Sequence, residues 1–148
     1  MIFIPEIFMS LGFLVILIIS VFLKKNSHII VGYLSLILIF LTQFFVLKDI
    51  FLFEEIFNSF FVIDSFGSFL KSIILISAGL VIYFYLIVKN EISLQRPEFL
   101  LITLIAIIGM MLMVSSNDLL SLFVSLELQS LALYILVSFS KDDFNSSE

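Results

Sequence analysis

Of the chain's 148 residues, 62% are hydrophobic and only 13% charged, with a mean hydropathy of +1.30; a soluble domain carries roughly 45–50% and about 25%. A membrane crossing needs about 20 apolar residues, so about five spans would use about 100 positions and leave no room for a soluble catalytic domain. Cysteine is absent and His28 is the single histidine, which removes disulfides, thiolate zinc sites, cysteine-ligated clusters and histidine metal clusters. A net charge of −5 argues against a nucleic-acid partner.

The apolar segments follow one another with charged or turn-forming breaks between them. The first span covers 7–23 and ends at Lys24-Lys25-Asn26. Pro5 and Glu6 precede it in a first helical turn, where a missing N–H costs little and a carboxylate suits the helix dipole. Signal peptides have the opposite layout, with basic residues before the apolar run, so this span is expected to be retained. The second span is 29–47, closed by Lys48-Asp49. Residues 50–65 mix Glu54, Glu55 and Asp64 with several Phe, too interrupted to cross and suited to the membrane interface. The third span is 66–88 and the fourth 99–116, opened by Pro97-Glu98. Asn117-Asp118 is a tight break with N-cap chemistry before the fifth span, 119–139. The expected fold is therefore all-α and integral to the membrane, one domain over 1–148 with membrane lipid around it.

Lysine and arginine in alternate loops set the orientation. Lys24, Lys25, Lys89, Arg96 and Lys141 fall on one side, and Lys48 on the other, with Lys71 inside a span. Positive-inside places the C-terminus in the matrix or cytoplasm and the N-terminus outside.

Glu127 is the most informative residue. It lies nine residues past Asp118, about 13 Å along the fifth helix and near the midplane of a core about 30 Å thick. An ionisable group there is expensive and is expected to face a bundle interior, either as a proton-path carboxylate or as a neutral acid joining two helices. At 100° per residue, Phe123, Ser130, Leu131, Tyr134 and Ser138 share its face, so Ser130 and Tyr134 are candidate hydroxyl partners, while Ser125 and Gln129 point nearly opposite. Lys71 sits roughly 8 Å into the third span, where it either snorkels to the interface or pairs with a carboxylate on another helix or chain. Asp118, and similarly Asp64, have the position of helix caps. Thr103, Ala106 and Gly109 form a small-residue strip that suits close helix packing. No phosphate loop, nucleophile elbow or metal-ligand spacing occurs.

From the linker onward the sequence resembles subunit 2 of the proton-pumping NADH:quinone oxidoreductase, respiratory complex I (subunit N in bacteria). The resemblance rests on Phe61-Val62-Ile63-Asp64-Ser65-Phe66 with Lys71 following, on the run from Gly109 to Leu122, and on Leu126-Glu127-Leu128-Gln129-Ser130-Leu131-Ala132-Leu133-Tyr134. Pro5-Glu6-Ile7 is similar too, though more weakly. The resemblance implies three leading helices before inverted five-helix repeats, with Glu127 on the family's helix-five glutamate, the charged partner of a central lysine in the proton channel. It implies no cofactor in this chain; NADH, flavin, iron–sulfur clusters and quinone belong to other subunits. Relatives continue into further helices after the position of Glu148, and those helices carry the buried lysines. The expectation is a split mitochondrial subunit in the inner membrane, its N-terminus in the intermembrane space, whose partners are other membrane-arm subunits and a separate chain supplying the remaining helices; a fragment of a longer subunit is the alternative to a split one, and a bacterial plasma membrane the alternative location. Two other functions stand beside redox-coupled proton translocation: a structural or assembly subunit without its own proton path, and a subunit of a related cation/proton antiporter.

Overall fold

A computed structural model describes residues 4–23, 27–49, 54–56, 60–87 and 97–142. They form five helices: α1 (Ile4–Phe22), α2 (Ser27–Asp49), α3 (Ser65–Ile87), α4 (Pro97–Ser115) and α5 (Leu119–Asp142). Each is long and apolar enough to cross a membrane, with mean hydropathy between 1.9 and 2.4. Their ends lie within three residues of the expected spans. The starts of α1 and α4 reach back over Pro5-Glu6 and Pro97-Glu98, polar first-turn residues that hydropathy alone leaves outside. The loops carrying Lys24, Lys25, Lys89 and Arg96, and the acidic end from residue 143, lie outside the described residues.

The linker adds one feature that the apolar pattern does not announce. β1 (Glu54–Ile56) pairs antiparallel with β2 (Phe61–Ile63), Glu55 opposite Val62. β2 is in turn tied to the turn between α4 and α5. Phe61 bridges to Ser116, and the Phe60 carbonyl accepts from Asn117 N–H at 2.9 Å and from the Ser121 hydroxyl at 3.0 Å.

Neighbouring helices run antiparallel, as the pairings show: Met9 meets Thr42 while Gly12 meets Leu38, and Gln43 meets Ser72 while Gly32 meets Leu86. α2 and α4 are central. α1 and α3 each pack on both, whereas α5 packs mainly on α4. The core is apolar, built from Met9, Leu38, Leu75, Leu104, Ile107 and Met111 among others, but the outside is equally so, with Phe22, Phe40, Phe66 and Leu119 exposed. Such a surface suits lipid, and helix association then depends on packing and polar ties rather than on escape from water.

Several hydroxyls inside the helices are satisfied locally, as a lipid environment favours. Ser35, Thr42, Thr103 and Ser125 each donate to the carbonyl four residues earlier, at 2.7–2.8 Å. Helix starts are capped by carboxylates: Asp64 Oδ1 accepts from Gly67 N–H at 2.8 Å, and Asp118 Oδ2 from Leu120 N–H at 3.1 Å.

The small-residue strip of α4 sets the closest helix approach. A Cβ at Gly109 would lie 2.9 Å from the Gln129 backbone nitrogen and 3.1 Å from its Cβ, against a main chain that cannot swing aside. Gly109→Ala should therefore push α5 away from α4 and destabilise by about 1–3 kcal/mol, the usual range for overpacking. Gly79→Ala is the control, because its Cβ would meet only Ile39 Cγ2 at 3.8 Å. Thermal unfolding in mild detergent should show a lowered midpoint for the first variant and no loss for the second.

Candidate functional site

Three helix ends converge on the Glu6 carboxylate. Its Oε1 is 2.5 Å from Lys71 Nζ and accepts a hydrogen bond from Ser115 Oγ at 3.1 Å. Both charged side chains are 3% exposed, and Ser115 is buried with them. The geometry follows from helix direction. Glu6 lies two residues past the start of α1, about 3 Å in, and Lys71 six past the start of α3, about 9 Å in. Side chains on a helix lean toward its N-terminus, so the lysine reaches back up to the carboxylate. Ser115 closes the group from the end of the antiparallel α4, while also donating to the Met111 carbonyl at 3.2 Å.

Of the two readings open for Lys71, snorkelling to the interface is overturned: the ammonium is buried and paired with a carboxylate on another helix. Glu6 and Ser115 are functional candidates that sequence reasoning passed over. Glu6 reads as a helix-dipole residue, and its signal is the charge opposite to it inside a later span. It and Lys71 are opposite charges entering from the same face, on α1 and α3.

Glu127 is placed differently. α5 turns its small polar face to α4, burying Ser121, Ser125 and Ala132, and the Gly109 contact holds Gln129 on that side. Glu127 lies on the opposite side and is exposed. The expectation of a bundle interior is thus not met within these five helices, because the close α4–α5 approach fixes the rotation of α5. Its helical neighbours also differ in role from expectation. Ser130 Oγ donates to the Glu127 backbone carbonyl at 3.1 Å, not to the carboxylate. Tyr134 is 70% exposed on the same outward side. The structure brings Lys71 together with Glu6 and Ser115; Glu127, Ser130 and Tyr134 form a separate outward strip.

Among the described residues, no cluster of three or more His, Asp or Glu side chains could hold a metal ion. Chemically, the buried group holds a carboxylate and an ammonium out of water as a pair, and the outward strip can present a carboxylate to a neighbouring helix.

No family model matches the chain. Curated relatives do. The chain is 37% identical over 146 residues to NADH-quinone oxidoreductase subunit N of Pelagibacter ubique, covering 97% of this chain and 31% of that protein. It is 37% identical over 151 residues to the subunit N of Bartonella bacilliformis, covering 97% and 29%. With the subunit N of Rhodobacter capsulatus the identity is 40% over 95 residues, covering 64% and 20%. The chain thus spans under a third of the length of these relatives. By sequence it is similar to NADH-quinone oxidoreductase subunit N over 97% of its own length.

Proposed function

We propose that the chain forms part of a membrane-arm subunit of a proton-pumping NADH:quinone oxidoreductase and contributes to redox-coupled proton translocation. The observation that carries this reading is the similarity to subunit N over nearly the whole chain, together with an ionisable side chain, Glu127, on the outward side of α5, which packs mainly on α4. The relatives are about three times longer. Further helices of the same subunit would cover the outward face of α5 and convert Glu127 from a lipid-facing to an interior group. There its negative charge would stabilise a protonated lysine on one of those helices, and a change in their separation would load or release the proton. The other partners are complex I membrane-arm subunits and lipid. Hydride and electron chemistry belongs to other subunits.

Purification in mild detergent tests the reading. The chain should co-purify with an NADH-oxidising assembly that also contains the remaining subunit N helices. Recovery in a cation/proton antiporter complex, or alone and monodisperse, would overturn it.

The proposed setting is the mitochondrial inner membrane, with the Glu6 end toward the intermembrane space. Cysteine introduced at Asn117, exposed at that end, should react with an impermeant reagent applied from outside, and cysteine at Glu98 should not. The reverse labelling pattern would invert the topology.

A further inference from the structure

Glu6 uses its two oxygens unequally. Oε1 takes both the Lys71 ammonium and the Ser115 hydroxyl, whereas Oε2 is buried with no hydrogen-bond partner among the described residues. A second such atom lies on the helix that carries Lys71: Ser68 Oγ is also buried with no hydrogen-bond partner among the described residues, and Ser68 is 1% exposed. It sits one turn before Lys71 on the buried side of α3. Ser35, Thr42, Thr103 and Ser125 return their hydroxyl bond to their own helix, so Ser68 departs from the chain's habit. A free acceptor and a free hydroxyl, both buried, make a suitable seat for a water molecule, which typically takes about three polar partners.

We propose that Glu6, with Ser68 and Ser115, is a protonatable station whose ligand is the proton, carried to Oε2 by a buried water. The proposal rests on the translocation reading above and adds a second position to it, at the opposite side of the unit from Glu127. In the step, a hydronium at this seat breaks one O–H bond and a new O–H bond forms at Oε2. The carboxylate becomes a neutral acid, water remains, and Lys71 stays an ammonium. The reverse transfer returns the proton to water. No electrons move.

Few other charges face this group. Lys71 on α3 is the immediate one. On the segment leading into α3, Asp64 is turned to the Gly67 N–H. On α2, Lys48 lies over the Phe44 ring with Asp49 beside it, and His28 is at the far end of the helix. On α4, Glu98 is in the first turn, about 26 Å from Ser115 along the axis, and in the turn after α4 Asp118, at the Glu6 end, accepts from the Leu120 N–H. A fixed brace between α1 and α3 would need none of the unpaired atoms.

Infrared difference spectra decide between station and brace, recorded on membranes holding the full chain with its native partners. As pH is lowered, a carboxylic-acid C=O band should grow in the wild type and be missing in Glu6→Gln. Ser68→Ala keeps the charge pair and should shift the midpoint of that band by about half a pH unit or more. The proposal is overturned if the Glu6→Gln and wild-type spectra agree across the titration. If Glu6→Gln does not accumulate, an unmoved midpoint in Ser68→Ala overturns it alone. The band reports Glu6 whether or not the chain sits in an NADH-oxidising assembly. Failure to co-purify with that assembly therefore removes the proposed function only, and a silent Glu6 within the assembly removes the station only.

Discussion

Lys71→Met is expected to strip most of the chain from the membrane fraction. The substitution preserves length and packing but leaves Glu6 buried without the ammonium that sits 2.5 Å away. Breaking one side of a buried ion pair costs about 3–5 kcal/mol, and the lower end applies here because a carboxylate can take up a proton. Against a total stability of about 5–15 kcal/mol, that loss is large. Glu6→Gln combined with Lys71→Met should recover much of it, since the amide can still accept from Ser115 and no lone charge remains. Steady-state amount and thermal midpoint, compared across wild type, single and double variants, measure the effect. Equal stability of the single and double variants would show that the pair is not coupled.

Glu127→Gln should leave assembly near normal and reduce NADH-driven proton translocation about tenfold. The amide keeps the volume and a hydrogen bond but not the charge. If a lysine on a neighbouring helix loses its counter-charge, its proton affinity changes, and one pKa unit corresponds to about 1.4 kcal/mol, or a factor of ten. Glu127→Asp should be milder, because the charge is kept and withdrawn by one methylene. The assay is proton translocation in reconstituted vesicles, normalised to assembled complex. Undiminished pumping by the Gln variant would take Glu127 out of the mechanism and leave the chain as scaffold.

The five helices are legible in the sequence because the bilayer imposes length and apolarity on each segment independently of its neighbours. The caps at Asp64 and Asp118 are legible for a similar reason, since capping is local chemistry. Gly109 signals close packing, though not which helix it meets. The hairpin is not legible. Glu54–Ile56 and Phe61–Ile63 are too short to show alternation, and β2 is held through Ser116 and Asn117, more than fifty positions away. The Glu6–Lys71 pair is hidden for the same kind of reason. Each residue has an adequate local explanation, dipole for one and snorkelling for the other, and only the meeting of the ends of α1, α3 and α4 rejects both. Glu127 announces itself as a costly residue, but the side it presents depends on the rotation of α5, which the Gly109 contact sets.

The pairing of Glu6 with Lys71 also constrains the order in which the protein is made. The carboxylate is synthesised in α1 and its counter-ion in α3, a separation of 65 residues (71 minus 6). At about 5–20 residues per second, the glutamate waits roughly 3–13 s for its lysine. Its place in the first turn makes that wait tolerable, because a nascent α1 can rest with Glu6 at the headgroup level, still wet. Seating α1 at its final depth is then a late event, completed when α3 arrives and α4 brings Ser115. The insertion machinery must keep α1 at hand through that interval, and a chain released before α4 is made would carry an unfinished first helix.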